Sequence, residues 1–173
     1  MLTKDHGFCD NYEMKRYIKT PIGILQPYFL HESLIGLRWS EETEFQYKDY
    51  SPREQRMMDE MESQLNEYFA GQRSVFQIDI TISGTEFQNK VWNALRTIPY
   101  GETRTYQEIA EQINAPRAAR AVGQANRCNP FSIIIPCHRV LGVNGKLTGY
   151  MGSSESGLNM KRFLLDLEQS QCK

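Results

Sequence analysis

The sequence has few cysteines and histidines, and this shortage excludes several kinds of protein. Four cysteines and three histidines among 173 residues show no close C-x-x-C spacing and no matching histidine pair. Neither a disulfide framework nor a metal cluster is predicted, and Cys9, His6 and His31 do not form a recognisable zinc-ligand set. We therefore expect free thiols, a reduced cytoplasmic setting and no bound metal.

Long apolar runs are also lacking. The longest one, Ile133–Cys137, has five residues, whereas a membrane-spanning helix needs roughly 20. Residues 1–6 contain no apolar core and are neither Arg-rich nor Ser-rich, so no secretory signal or transit peptide is predicted. We expect no contact with a membrane and a cytoplasmic location.

Acidic and basic residues are distributed unevenly, although the net charge is only −1. Residues 1–85 carry nine Lys and Arg against fourteen Asp and Glu, whereas residues 86–173 carry eleven against seven. A polyanion would therefore bind to the second half of the chain. An imbalance this small also arises by accident, so charge alone does not identify a partner.

The first half has the pattern of a small sheet followed by a helix. Segments 14–19, 22–29 and 34–39 are short, rich in Ile, Leu, Tyr and Phe, and separated by turn residues, which is typical of antiparallel strands. Ser51 then begins a capped helix whose apolar residues recur at helical spacing. Residues 76–82 alternate between apolar and polar side chains, which predicts one more strand.

Beyond this segment the pattern becomes helical, and the fold class is predicted as α+β. We expect an N-terminal sheet-and-helix domain over 1–84 and a mostly helical C-terminal domain over 85–173. One short helix begins with a capping box at Thr105, and a second runs from Pro116 to Arg127. Two short helices around a tight turn predict a helix-turn-helix.

The second of these helices combines basic and very small side chains. Arg117, Arg120 and Arg127 project from a surface that otherwise consists of Ala and Gly. Such a backbone can lie close to a nucleic acid while the guanidinium groups reach phosphates or bases. An ordinary helix pair packed through small residues has the same pattern, because helix-turn-helix signals are weak in a sequence.

Cys137 ends the apolar run and is followed at once by His138 and Arg139. An inert core cysteine is the simplest interpretation. An imidazole or a guanidinium beside the thiol would instead lower its pKa or take its proton, and only the thiolate is nucleophilic. Since neighbouring side chains of an extended chain point to opposite faces, His138 needs a bridging water or a sharp turn to act on the sulfur.

The imidazole also needs a carboxylate on its far side to hold it in one tautomer. The last predicted helix, roughly Gly157 to Gln169, offers Asp166 and Glu168 near its end. Spacing alone does not choose between them.

Several motifs, taken in order, resemble the O6-alkylguanine-DNA alkyltransferase (methylated-DNA protein-cysteine methyltransferase) family. The stretch from Phe87 to Glu168 contains RTYQEIA at 104–110, AARAVG at 118–123 and IPCHRV at 135–140. Asn129-Pro130 and Gly149-Tyr150 complete the pattern, whereas residues 1–84 resemble the family only in general layout.

The resemblance implies a single-turnover DNA repair enzyme. Such a protein rotates an O6-alkylguanine, and in some cases an O4-alkylthymine, out of duplex DNA and accepts its alkyl group irreversibly on Cys137. One group is transferred per chain, and no cofactor takes part. The expected partner is double-stranded DNA, approached through the minor groove by a monomer.

The resemblance also assigns roles to individual residues. Cys137 corresponds to the alkyl acceptor, His138 to the water-mediated base and Glu168 to the carboxylate that orients it. Tyr106 corresponds to the residue that crowds the phosphate of the flipped nucleotide and assists the leaving guanine, and Arg120 to the finger that fills the vacated stack. The further DNA-binding residues would be Thr105, Ala118, Ala119 and Arg127, and the pocket residues Asn129 (a hinge), Val140, Tyr150 and Met151.

The chemistry of these residues agrees with the assignment. Removing an alkyl group from guanine O6 needs a thiolate and a proton donor for the leaving purine, which a tyrosine hydroxyl supplies. A base inside the duplex is out of reach, and an inserted arginine offsets part of the lost stacking. A recognition helix of small residues suits close approach to a minor groove.

One segment departs from the family pattern. Residues 151–157 form a longer loop than usual after Tyr150 and include the acidic Glu155. Because this loop normally closes over the flipped base, we expect an altered tolerance for bulky alkyl groups.

Two other functions fit part of the pattern. An alkyltransferase-like protein that binds lesions without transfer would keep Arg120 but lack the acceptor, whereas Cys137 is present here. A helix-turn-helix transcription regulator would have no use for an activated Cys-His pair, and operator footprinting would detect it.

Overall fold

The structure is a computed structural model that describes residues 17–31, 33–40, 51–150 and 154–171. Its strands are β1 (Ile18–Thr20), β2 (Gly23–Leu30), β3 (Ser33–Ser40), β4 (Arg104–Thr105) and β5 (Val140–Leu141). Its helices are α1 (Pro52–Phe69), α2 (Glu86–Leu95), α3 (Tyr106–Gln112), α4 (Ala119–Arg127) and α5 (Glu155–Ser170), with two 3₁₀ turns at Cys137–Arg139 and Val143–Gly145. This combination confirms the predicted α+β class.

The first three strands form an antiparallel sheet in the order β1-β2-β3. Two of the three predicted strands are confirmed within a residue or two of their expected ends. The first predicted strand lies partly outside the described residues. Leu25, Phe29, Leu34 and Leu37 on this sheet are buried, so its inner face closes one side of the core.

Helix α1 begins where the capping box predicts. The hydroxyl of Ser51 accepts a hydrogen bond from the backbone amide of Glu54, and the Glu54 carboxylate accepts one from the amide of Ser51. The helix ends before Gly71, whose φ of 73° favours glycine. Met61 and Leu65 of the predicted apolar stripe are buried, whereas Met57 is half-buried and its neighbour Met58 is buried instead.

The strand predicted over 76–82 is wrong, although its burial pattern is right. Even-numbered residues from Phe76 to Ile82 are half-buried and the residues between them are exposed. The structure forms only one isolated bridge here, between Ile80 and Leu34. A side chain replaces the missing partner strand, because the amide group of Gln64 bonds both the N–H and the C=O of Gln77, at 2.8 and 3.0 Å.

The helix-turn-helix is formed by α3 and α4. The Thr105 capping box begins α3 as predicted, and Asn114 at φ 58° turns the chain. Helix α4 begins at Ala119 instead of Pro116, because residues before it form a turn closed by the amide of Ala118 and the carbonyl of Ala115 at 2.8 Å. The Trp92 indole of α2 donates to the Ala125 carbonyl at 2.8 Å and fixes α4 from behind.

Residues from both halves of the chain share one hydrophobic cluster. The backbone of Leu37 in β3 exchanges hydrogen bonds with Pro130 and Ser132, each at 2.8 Å. The sheet is therefore fastened directly to the loop that precedes Cys137. The division into domains at 84 stays a prediction. Among the described residues, no helix is both long and apolar enough to cross a bilayer.

Candidate active site

Cys137 lies at the start of a 3₁₀ turn that follows Pro136. This turn is the sharp bend that the sequence required, and it places Cys137 and His138 on one compact unit. Asn129 holds the preceding loop, because its side-chain amide donates to the carbonyls of Ile135 and Phe131 at 2.8 and 3.2 Å. The cysteine is 6% exposed, so it is almost completely buried.

His138 is fully buried and its ring bonds a carboxylate from α5. Nε2 of His138 lies 2.7 Å from Oε1 of Glu168. Asp166, the other candidate, is exposed, so the structure places Glu168 beside the imidazole. The second ring nitrogen, Nδ1, is buried without a hydrogen-bond partner among the described residues. It is therefore available to a water or a thiol proton.

Glu168 accepts hydrogen bonds from more groups than the sequence suggested. Arg139 donates Nε to Oε2 at 2.7 Å and Nη2 to Oε1 at 3.0 Å. The Tyr68 hydroxyl of α1 donates to Oε1 at 2.7 Å, and the Gly101 amide to Oε2 at 3.2 Å. Burial raises the pKa of Glu168, but His138 and Arg139 outweigh it and hold that pKa well below its usual range. The carboxylate is ionised.

Arg139 does not act on the thiol as the sequence led us to expect. Its third contact is Nη1 to the Ile98 carbonyl at 2.6 Å, and its guanidinium lies over the Tyr100 ring. Because these groups satisfy it, Arg139 serves as the counter-charge of Glu168. Arg139 is close to Cys137 in the sequence, and this led us to expect a contact with the thiol. The 3₁₀ turn instead sends successive side chains in different directions.

The pKa of Cys137 is raised, not lowered, in the free protein. Burial is the main cause, opposed by Asn129, by the Lys161 ammonium and by nearby backbone amides. Burial likewise lowers the pKa of His138, against the pull of Glu168. The resting site thus pairs a protonated thiol with a neutral imidazole, and His138 donates to Glu168 as a neutral ring. Proton transfer to His138, the second route considered for activation, stays a prediction.

Lys161 is a buried cation that sequence reasoning missed. Its Nζ donates to the carbonyls of Val140 and Thr148 at 2.6 and 2.7 Å. Burial lowers its pKa to about 8, while Cys137 raises it. Lys161, Leu164 and Glu168 share the buried face of α5 at helical spacing. That period was the available signal, and it also distinguishes Glu168 from Asp166.

Two tyrosines flank the thiol. Burial raises the pKa of Tyr106, although the side chains of Thr148 and Asn126 lower it, so its hydroxyl stays protonated. Tyr150 is buried and accepts a hydrogen bond from the Trp39 indole at 3.0 Å. Burial and Cys137 raise the pKa of Tyr150 well above its usual range.

The remaining pocket predictions concern Val140 and Met151. The carbonyl of Val140 accepts a hydrogen bond from Lys161 at 2.6 Å. The carbonyl of Cys137 accepts from the Asn126 side chain at 3.3 Å and from the backbone amide of Val140, so both of its lone pairs are engaged. Met151 lies outside the described residues.

The outer face of α4 is basic and open. Arg120 and Arg127 of α4, and Arg117 in the turn before it, are exposed, and none of the three forms an ion pair within the described part of the chain. Gly123 faces the ring of Tyr106, where an added Cβ would lie 3.9 Å from it. Helix α4 and the Tyr106 ring are therefore neighbours.

The other predicted DNA-binding residues lie at the two helix starts. The Thr105 hydroxyl caps α3 by accepting from the Glu108 amide at 3.1 Å. Ala118 is the N-cap of α4 and makes no side-chain hydrogen bond there, and Ala119 follows as the first residue of the helix. DNA contacts by these residues stay predictions.

No group of three metal-ligating side chains is present among the described residues. His6 and Cys9 lie outside them, so the absence of zinc stays a prediction. The same applies to the expectation that no cofactor is needed.

A buried cysteine followed by a histidine that bonds a carboxylate, together with a helix-turn-helix, is the arrangement expected of a protein that performs thiol chemistry on a nucleic acid. The family model described as "6-O-methylguanine DNA methyltransferase, DNA binding domain" matches residues 86–170. The methylated-DNA–protein-cysteine methyltransferase of Mycobacterium tuberculosis is 49% identical over 156 residues, 90% of this chain and 92% of the relative. That of Methanosarcina acetivorans is 60% identical over 111 residues, 64% of this chain and 69% of the relative.

Solved structures agree. The crystal structure of Mycobacterium tuberculosis O6-methylguanine methyltransferase has a TM-score of 0.75 at 48% identity and covers 91% of this chain and 93% of that one. A second structure, of the M. tuberculosis protein in complex with DNA, has a TM-score of 0.74 at 49% identity over 90% and 92% of the two chains. The chain belongs to the methylated-DNA–protein-cysteine methyltransferase family.

Proposed function

We propose that this protein repairs DNA by transferring the alkyl group of O6-alkylguanine to Cys137, once per molecule. The observation that carries the proposal is the buried Cys137–His138–Glu168 arrangement, with the unpartnered Nδ1 of His138 on the side away from Glu168. The relatives named methylated-DNA–protein-cysteine methyltransferases support the substrate and the direction of transfer.

The proposed step balances with groups that the chain supplies. A water bridges Cys137 and Nδ1 of His138, and the thiol proton moves to the imidazole as the sulfur attacks. The new bond joins Sγ to the alkyl carbon, and the bond from that carbon to O6 breaks. Tyr106 donates a proton to the leaving guanine, and the thiol proton held by His138 then restores the Tyr106 hydroxyl. The products are an S-alkyl cysteine and guanine.

Burial of the thiol fits a reaction that begins only when a base enters the site. A thiol whose pKa is raised is unreactive toward small electrophiles in the free state. A bound purine supplies the alkyl carbon next to the sulfur and aligns it, which converts a slow encounter into a reaction within a complex. The protein thereby keeps its one acceptor for DNA.

DNA is proposed to bind on the outer face of α4. Its arginines are free to meet phosphates, and its small residues allow the backbone to enter a minor groove. Arg120 is proposed to fill the stack that the flipped base leaves, and the Val140 carbonyl to accept a hydrogen bond from the guanine amino group. Alkylthymine is a second proposed substrate.

The decisive experiment is intact-mass spectrometry after incubation with a duplex that contains O6-methylguanine. We expect one added methyl group per chain, located on Cys137 by peptide mapping, and no further turnover. A methyl group on another residue, or repeated turnover by one molecule, would contradict the proposal. Lesion binding without any mass change would instead indicate a binding-only relative. A cytoplasmic location and a monomeric state are also proposed.

A further inference from the structure

The first half of the chain supplies two hydrogen bonds to the site, and none of the family-like motifs encodes them. Tyr68 lies near the end of α1, and its hydroxyl donates to Oε1 of Glu168 at 2.7 Å. Trp39 lies in β3, and its indole donates to the hydroxyl of Tyr150 at 3.0 Å. Both donors precede residue 86, where the family-model match begins.

We infer that Tyr68 is a positioning residue for alkyl transfer, because it shares one carboxylate oxygen with the proposed base His138. This inference rests on the proposed function. Oε1 of Glu168 lies 2.7 Å from Nε2 of His138 and 2.7 Å from the Tyr68 hydroxyl. The tyrosine therefore sets both the place of that oxygen and how much of its negative charge reaches the imidazole.

The surroundings hold Tyr68 in this role. The side chain is fully buried, and its ring packs edge-on against Phe69 and Tyr100, with centroids 5.3 and 6.1 Å away. Burial, reinforced by Glu168, raises the pKa of Tyr68 far above its usual range, so the hydroxyl remains a donor. A buried donor of this kind costs free energy if it loses its partner. The contact is therefore fixed from both sides.

The charged groups around the relay decide what removing the hydroxyl does. Glu168 faces Tyr68, His138 and Arg139, and His138 faces Glu168, Arg139 and Lys161. Without the tyrosine, the positive charge of Arg139 remains and the carboxylate bonds His138 more strongly. Protonated His138 is then favoured, so the base is lost at a higher pH.

The test compares Tyr68→Phe with Tyr28→Phe in the full chain. Tyr28 also loses a bonded hydroxyl, since it donates to Gln26 at 3.0 Å, but it lies in β2 away from the relay. We expect Tyr68→Phe to slow transfer to Cys137 by about tenfold, with O6-benzylguanine as the substrate. The acid limb of the pH–rate profile should move up by about half a pH unit. Tyr28→Phe should change neither.

The outcomes separate this inference from the proposed function. If the unmodified protein does not alkylate Cys137, the proposed function fails. If it does, and Tyr68→Phe reacts at the same rate with the same pH profile, the role of Tyr68 is overturned. A loss of stability with an unshifted profile also overturns it, because a purely structural contact would behave that way.

A measurement on the unmodified protein guards against a variant that fails to fold. By NMR, the Tyr68 hydroxyl proton should appear as a slowly exchanging signal with a nuclear Overhauser effect to the Nε2 proton of His138. Both protons point at the same oxygen, so they lie close together. A Tyr68 hydroxyl signal without that effect would overturn the inference.

Discussion

The two faces of α4 satisfy their polar groups in opposite ways. On the outer face, Arg120 and Arg127 are exposed and make no ion pair within the described residues. On the inner face, Asn126 is buried and its side-chain amide donates to the backbone carbonyl of Cys137, and the nearby cations Arg139 and Lys161 are hydrogen-bonded within the protein. The outer face therefore presents exposed charges, whereas these inner charges are paired.

We expect this difference to separate DNA recognition from alkyl transfer. Recognition depends on contacts that salt weakens and that any duplex supplies. Alkyl transfer is proposed to depend on a pre-organised set of buried groups. Changes on the inner face should therefore affect transfer to any substrate, and changes on the outer face only transfer from DNA.

The strongest test on the inner side removes the acceptor. Cys137→Ser should abolish alkyl transfer completely while a duplex with O6-methylguanine still binds, because the outer face is unaltered. Fluorescence anisotropy measures the binding and intact mass measures the transfer. Cys128→Ser is the matched control, since Cys128 is exposed at the end of α4, and it should retain transfer. Any alkylation of the Cys137→Ser protein would contradict the assignment.

Glu168→Gln should produce the next largest effect. The amide cannot accept all the bonds that the carboxylate accepts, and it leaves Arg139 as a buried charge without a counter-ion. We expect a loss of about 3 kcal/mol in the free energy of unfolding and a fall of about 100-fold in transfer.

Urea unfolding and single-turnover kinetics measure the two effects of this change. Asp166→Asn changes the same charge on an exposed part of α5 and serves as the control. An equal loss in both variants would mean that net charge, and not the relay, is responsible.

Arg120→Ala tests the outer side. Repair of O6-methylguanine in duplex DNA should fall by about tenfold or more, because an empty stack is no longer filled. Reaction with free O6-benzylguanine should be unchanged. Arg162→Ala, which removes an exposed charge from α5, controls for electrostatics. Equal losses with both substrates would show that Arg120 supports the pocket and does not assist flipping.

The smallest expected effect is a pH dependence of stability on the inner side. Burial holds the folded pKa of His138 below its ordinary value of 6.5. The unfolded chain therefore binds more protons than the folded chain as pH falls below 6.5, and the free energy of unfolding should decrease there.

Urea titrations between pH 5 and 8 measure this decrease, in roughly the range where histidine changes charge. His138→Gln should remove it, whereas His31→Gln, at an exposed turn, should not. A decrease that persists in His138→Gln would assign it to other groups.

The contrast between the outer and inner faces of α4 also explains which features could be predicted from the sequence. Exposed arginines on a helix of small residues, and the capping boxes at Ser51 and Thr105, are local patterns, and the structure has them where they were expected. The alternation over 76–82 correctly predicted burial but not a strand, because a strand also needs a partner, and Gln64 supplies the hydrogen bonds instead.

The inner face depended on contacts between distant residues. Tyr68 lies in the buried core, and its hydroxyl bonds a carboxylate one hundred residues further along the chain. No spacing rule reports such a pair. Residue adjacency was misleading for Arg139, whose guanidinium turns to Glu168. The raised pKa of Cys137 was equally unpredictable, since it follows from burial by the whole fold.

The hydrogen bond from Tyr68 of α1 to Glu168 has a consequence for shortened forms of this protein. A fragment that begins after residue 84 retains Cys137, His138 and every motif of the family pattern. It removes Tyr68, which bonds Glu168, and Trp39, whose indole bonds Tyr150. We expect such a fragment to transfer alkyl groups more slowly than the full chain.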